Sequence, residues 1–394
     1  MRLVAHLDDL DLPVAGVLVG DKVLTLDVLA ERAGLREELA FLDPRGLLAE
    51  DEDLVETRAA MERALASGIA GVPAASLRPA PLLEPGKIIC VGQNYASHVL
   101  EQGLPLPTRP MLFAKFANAV VGDGGPVIHP ATTHALDLEA ELAVVIGRRA
   151  RRVTAADALA HVVAYAAAND ISARDLQGSR PALRDGERGD GQWLRAKGSD
   201  TFLPLGPCLV TADELGDPGD LRVRGFHTPA AGRAVGRETQ VQDGRTSDMV
   251  FGVADLVAFV SESITLEPGD LVITGTPSGV GVFREPPVFL EPGDVVRVEV
   301  ERIGSVTNPV VDAGGRAPTG SPAARLLARR PGPAGPGRLT GASARLIASE
   351  PTRDAAGRRR IRGTVRRRAD AGPPAARRCR KACAHRGGGE CSPS

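Results

Sequence analysis

Aromatic side chains are scarce: the 394 residues include one Trp, two Tyr and nine Phe, 3% in all. A buried core must therefore be assembled from Val, Leu, Ile and Ala, which a hydrophobic fraction of 43% supplies. Long apolar runs are missing as well. No stretch approaches the roughly 20 residues that cross a bilayer as a helix, so no membrane span is expected. The opening Met1-Arg-Leu-Val-Ala-His-Leu-Asp-Asp-Leu10 acquires charge at once and lacks the apolar centre of a secretory signal. Cysteine is sparse, with five residues, of which Cys90 and Cys208 stand alone. That is no disulfide framework, and a cytoplasmic location is the expectation.

A net charge of −1 conceals two compositions. From Gly314 onward there are 19 basic and 4 acidic residues, net +15, against 29 and 45, net −16, in the preceding 313. The region 314–394 is Arg, Ala, Gly and Pro with almost no β-branched or aromatic residues. It cannot bury enough apolar surface to offset chain entropy and is predicted to be a disordered tail. Its Arg358–Arg360 and Arg366–Arg368 runs would meet phosphates without reading sequence. With no interleaved aromatics and an acidic body, nucleic-acid binding is the disfavoured reading. Cys379, Cys383, His385 and Cys391 are zinc-ligand types at irregular spacing, with no core around them.

The rest divides into a small N-terminal α/β domain, 1–80, and a larger domain, 81–313. In the first, a β-type run, Val14–Val23, precedes a helical pattern at Leu54–Leu65, and the Pro-rich Pro79–Pro85 follows as connector. In the second, short β-rich runs recur at Lys87–Val91, Glu141–Ile146, Leu271–Thr274 and Val295–Val300. The turn Glu-Pro-Gly-Asp precedes the last two, at 267–270 and 291–294. Helical patterns intervene at Thr154–His161 and Ser247–Ser261. The predicted fold class is α+β and mainly β, without the regular alternation of a parallel sheet.

Chemistry concentrates at Leu138-Glu-Ala-Glu-Leu-Ala-Val-Val-Ile-Gly147. On a strand, Glu139 and Glu141 point the same way a few ångströms apart, beside a run that is apolar on both faces. Two like charges there are costly unless something positive compensates them. Asp170 closes a second apolar run, Val162–Asn169. Three hard oxygen ligands without His or Cys suit Mg²⁺, Mn²⁺ or Ca²⁺ better than zinc. The plainer alternative is that the glutamates pair with arginines.

In order along the chain stand Val91-Gly-Gln-Asn-Tyr-Ala-Ser-His98 with Glu101, Asp137–Gly147, Asn169-Asp-Ile-Ser-Ala-Arg-Asp-Leu-Gln177, and Gly191-Gln-Trp-Leu-Arg-Ala-Lys197. Asp200–Pro207, Gln242-Asp-Gly-Arg-Thr-Ser-Asp-Met-Val-Phe251 and Thr274-Gly-Thr-Pro-Ser-Gly-Val-Gly281 follow. As a set, over about 225 residues, these blocks resemble the catalytic domain of the fumarylacetoacetate hydrolase family. The resemblance implies a mixed β-sandwich roll, a homodimer, and Mg²⁺ held by Glu139, Glu141 and Asp170, with Mn²⁺ or Ca²⁺ as alternatives. It implies Lys197 near the metal and the substrate's oxygens, with Thr276, Arg174, Gln177 and Tyr95 lining the substrate cleft. His98 and Glu101, three apart, would share a helical face as a general-base pair on a lid.

The implied activity is hydrolysis of a C–C bond in a small 2-oxo, acylpyruvate-type acid through a metal-stabilised enolate. Isomerase or tautomerase, decarboxylase and sugar-acid lyase chemistry are the alternatives on the same site. His129 and His134 flank the loop before the metal strand, and His161 reads as a surface residue. Trp193 and Lys115 are carried both as cleft residues and as packing. Two departures bear on the substrate: Ser199 where a bulky residue is common, and a long charged stretch at 178–190.

Overall fold

The structure is a computed structural model, describing residues 1–178, 191–230 and 237–316. The expected tail beyond Arg316, its cysteines, and nearly all of the charged stretch at 178–190 lie outside the described residues.

The chain opens with a three-stranded meander, β1 (Arg2–Leu7), β2 (Pro13–Val19) and β3 (Lys22–Thr25). Helix α1 (Leu26–Ala33) packs on β2 and β3 and against α2 (Val55–Ala66), which falls on the predicted helical pattern. Then come β4 (Ile88–Gly92), α3 (Ala96–Glu101), β5 (Met111–Lys115), β6 (Ala140–Ile146) and β7 (Val162–Asn169). They are followed by α4 (Arg174–Gln177), α5 (Trp193–Gly198), β8 (Leu203–Thr211), β9 (Arg222–Thr228) and β10 (Thr239–Arg245). The last elements are α6 (Val253–Ser263), β11 (Leu271–Ile273), β12 (Val295–Val300) and β13 (Gly304–Val311).

The longer strands of the main sheet lie in the order β3-β2-β1-β8-β7-β6-β11-β4-β5. The pairings among these strands are antiparallel except β11 with β4, where Leu271 stands opposite Ile88 in parallel register. Residues 1–80 and 81–313 thus share one sheet across the expected boundary, through Arg2↔Val210 and Leu3↔Leu209. A second sheet, β10-β9-β12-β13 with the short Val127–Ile128, packs on one face of the first.

Alternation decides what each face buries. Along β12, Val296, Val298 and Val300 are buried while Arg297 and Glu299 face outward. Strands β6 and β7 are buried at every position, because both faces are covered. Leu142, Val144 and Ile146 meet Val223, Val298 and Val300 of the second sheet. On the other face, Ala143 and Val145 join Ala166 and Leu205. Helix α6 buries Val253, Leu256, Val257 and Val260, the spacing of one helical face. The two Glu-Pro-Gly-Asp turns form as expected. Gly269 and Gly293 take positive φ, 81° and 107°, and Asp270 and Asp294 accept the Glu267 and Glu291 N–H groups at 2.7 and 3.0 Å.

Candidate metal centre and active site

The site begins where two buried strands meet. β6 and β7 pair antiparallel with Ala140 opposite Asn169, so Glu139 just before β6 and Asp170 just after β7 are neighbours. The Asp170 N–H donates to the Glu139 carbonyl at 2.9 Å, and the Asn169 side-chain oxygen accepts the Glu139 N–H at 3.0 Å. Glu141 follows two residues on, on the same face. One carboxylate oxygen from each of Glu139, Glu141 and Asp170 lies within 4.8 Å of the others, and all three residues are buried.

Cations compensate two of the three. Lys197 Nζ lies 2.7 Å from Glu139 Oε2 and 2.9 Å from Asp170 Oδ2. Arg174 reaches Glu139 Oε1 at 2.7 Å and Asp137 Oδ2 at 2.9 Å, and Lys115 reaches Asp170 Oδ1 at 2.7 Å. Glu141 pairs with no cation among the described residues; its Oε2 accepts the Gly275 N–H at 2.5 Å. That contact needs glycine. Gly275 has φ +93°, and a Cβ there would stand 2.9 Å from Asn94 Cβ.

The charges follow from these partners. Burial alone would raise the Glu139 carboxyl, but Arg174 and Lys197 outweigh it and hold the group well below the usual range. Burial pushes Glu141 well above that range, and the Asp170 and Glu139 charges push the same way. Burial opposes charge on Lys197 as well, yet Asp170 and Glu139 leave its ammonium more strongly protonated than an exposed lysine. Burial lowers the Lys115 ammonium, with Asp170 opposing. The residues fit a hard divalent cation: the donors are all oxygen, and a protein ammonium already sits between two of them.

Glu139 and Glu141 floor a cavity of about 340 Å³, with Asp170 just outside its wall. His98, Glu139, Glu141, Arg174, Gln177, Lys197 and Thr276 all line it, so the fold brings together most of the residues expected from the sequence. On α3, His98 Nδ1 meets Glu101 Oε1 at 2.5 Å, and Glu101 Oε2 accepts the Gly279 N–H at 2.9 Å. This leaves His98 Nε2 as the nitrogen available to a ligand. Trp193 lines the cavity too, with its ring 5.4 Å from that of Phe113. Tyr95 does not: it is fully buried at the start of α3 and absent from the cavity wall. Lys115 also stands outside the wall, behind Asp170. His134 pairs with Asp175 at 2.8 Å, His129 Nδ1 meets the Pro130 carbonyl at 3.1 Å, and His161 is half-buried; none of the three lines the cavity. Ser199 ends α5, where its hydroxyl donates to the Arg195 carbonyl at 2.8 Å.

Two supporting residues were not singled out from the sequence. Asp137 accepts the Gly281 and Val282 N–H groups at 2.9 and 3.1 Å and holds Arg174 against Glu139. Its signal was present: Asp137, Glu139 and Glu141 are spaced by two, as one strand face requires. Gln242 accepts the Ala140 N–H at 2.9 Å and donates to Thr276 Oγ1 at 2.8 Å, joining β6 to the Thr274–Gly281 loop. No spacing rule links positions 102 residues apart.

Comparison with known proteins places the fold. The profile of the family described as fumarylacetoacetate (FAA) hydrolase, C-terminal, matches residues 87–311. The human mitochondrial oxaloacetate tautomerase FAHD2A is 44% identical over 256 residues, covering 65% of this chain and 76% of that protein. The crystal structure of 5-carboxymethyl-2-hydroxymuconate delta-isomerase from Mycobacterium smegmatis superposes with a TM-score of 0.56 at 33% identity, covering 79% of this chain and 99% of that one. Fumarylacetoacetate hydrolase from Exiguobacterium antarcticum gives 0.59 at 30% identity, again covering 79% and 99%. On these grounds the chain belongs to the fumarylacetoacetate hydrolase family.

Proposed function

We propose that this enzyme is a divalent-cation-dependent tautomerase that moves a proton at C3 of a small 2-oxo acid, interconverting its keto and enol forms. The observation that carries the reading is the placement of His98, backed by Glu101, in the same cavity as Glu139 and Glu141, whose carboxylates cluster with that of Asp170. The 44% identity to an oxaloacetate tautomerase supports it. Glu139, Glu141 and Asp170 would hold the ion, with Mg²⁺ the expected species. When bound, such a cation supplies Lewis-acid polarisation of a keto oxygen.

The chain's own residues do the rest. His98 takes the proton from C3 and returns it, while the Glu101 carboxylate orients the ring and stabilises its charged form. Lys197 offers its ammonium to oxygen charge that develops in the transition state. Thr276 and Gln177 orient the substrate carboxylate from the cavity wall. The assembled form in this reading is a homodimer, for which the exposed Leu100, Leu106 and Phe116 offer apolar surface.

Hydrolysis of a C–C bond in an acylpyruvate is the second reading, favoured by the same His98–Glu101 pair acting on a water molecule. One experiment separates them. Metal-stripped protein, with and without Mg²⁺, is mixed with oxaloacetate and with acetylpyruvate, following enol absorbance and pyruvate together. Mg²⁺-dependent loss of enol without pyruvate marks the tautomerase, and pyruvate from acetylpyruvate marks the hydrolase. Turnover indifferent to metal removal sinks both.

A further inference from the structure

Lys115 is a fully buried lysine at the end of the edge strand β5, and it does not face the cavity. Its ammonium is saturated. It donates to the carbonyls of Ile171 at 3.1 Å, Lys197 at 2.5 Å and Phe202 at 2.8 Å, and pairs with Asp170 Oδ1 at 2.7 Å. These acceptors come from three separate places: the residues just after β7, the end of α5, and the residue before β8. One ammonium thus ties the backbone that carries a metal-ligand candidate to the backbone that carries Lys197.

Lys197 is differently placed. Its Nζ lies at the cavity wall, 5.0 Å from the centre of the Phe113 ring, and among the described residues it hydrogen-bonds Glu139 Oε2 and Asp170 Oδ2, oxygens that a bound cation would compete for. Asp170 is therefore gripped from behind by one lysine and approached from the front by another. With a cation held by these carboxylates, Lys197 would be free to turn toward substrate, whereas the partners of Lys115 would be untouched.

We propose that Lys115 is a positioning residue for the metal centre: by anchoring Asp170 Oδ1 it fixes Oδ2 toward Glu139 and leaves Lys197 as the movable cation. This rests on the metal reading above. A general expectation for such backing contacts is a loss of roughly 10- to 100-fold in metal affinity when they are removed.

The test measures Mn²⁺ binding to the full-length chain by electron paramagnetic resonance, for wild type, Lys115→Met, Asp170→Asn and the double variant, with melting temperature as a folding check. The double variant removes both members of the buried pair and strands no charge. The expected result is Mn²⁺ affinity lowered at least about tenfold in Lys115→Met, and a double variant no weaker than Asp170→Asn, because Lys115 acts through Asp170. Affinity in folded Lys115→Met within about twofold of wild type, or losses that multiply in the double variant, would overturn the proposal. Where Lys115→Met yields no folded protein, Lys115→Gln, which keeps an amide donor for the carbonyls, is read by the same criteria. Wild type that binds no Mn²⁺ refutes the metal reading itself, a different outcome from an unaffected variant.

Discussion

Metal binding should release a proton, and the proton should come from Glu141. Of the three carboxylates, Glu139 is held ionised by Arg174 and Lys197, so it has no proton to give. Glu141 has no cationic partner among the described residues, and burial together with the Asp170 and Glu139 charges raises it well above its usual value. Below that raised value the metal-free protein carries a proton on Glu141, which a cation must displace. One proton exchanged for one ion makes affinity fall about tenfold, or about 1.4 kcal/mol, for each pH unit lost below the raised value. Titration calorimetry with Mn²⁺ in two buffers of different protonation enthalpy counts the protons directly. About one proton per ion is expected in wild type, and close to none in Glu141→Gln, whose affinity should also drop. A wild-type affinity that stays flat with pH throughout the range in which the chain is folded, with no proton released, would refute the reasoning. Stability follows with a definite sign. The folded chain binds this proton more tightly than the unfolded chain, so metal-free stability falls as pH rises from the ordinary glutamate value of 4.5 through the raised one. Added metal should reverse that loss.

Three further outcomes are expected. Lys197→Met leaves Glu139 and Asp170 short of a cation in a buried place, which should lower metal-free stability by about 3–5 kcal/mol in urea unfolding; a loss below about 1 kcal/mol would show that water reaches the site. His98→Asn removes the proton-transferring group without touching a metal-ligand candidate, so turnover should fall roughly 10²- to 10⁴-fold while Mn²⁺ affinity stays within about twofold. Gly275→Ala forces a Cβ to 2.9 Å from Asn94 Cβ at a positive φ, and should destabilise the chain by about 1–3 kcal/mol and weaken metal binding by moving the N–H that holds Glu141. Calorimetric melting and Mn²⁺ binding read the two effects separately.

Local rules carried much of this fold. The i, i+2 spacing put Glu139 and Glu141 on one face, and the apolar run Val162–Ala168, closed by Asn169 and Asp170, became a strand buried on both sides. Turn chemistry placed β11 and β12 directly after their Glu-Pro-Gly-Asp signals, since Pro and Gly set the backbone angles and the Asp side chain closes the ring. His98 and Glu101 were readable as a pair because three residues make nearly one helical turn.

What lay beyond the sequence was assembled across distance. A strand edge can pair with many others, so nothing in the first 80 residues announced that β1 would extend the main sheet beside β8. Lys115 was equally readable as packing or as a cleft residue, since a lysine's role depends on which acceptors the fold gathers around it. Its four partners lie between 55 and 87 residues away. Arg174 read as a substrate contact, yet tertiary structure gives it two carboxylates, Asp137 and Glu139, as partners. The sequence by itself determined which groups could ionise and which shared a strand face or a helical turn, because those depend on residue type and on backbone period alone. Only the tertiary structure decided which charges are paired, and hence why Glu139 is held ionised while Glu141 is pushed toward its protonated form: two glutamates two residues apart are alike until the fold gives cations to one and, among the described residues, none to the other.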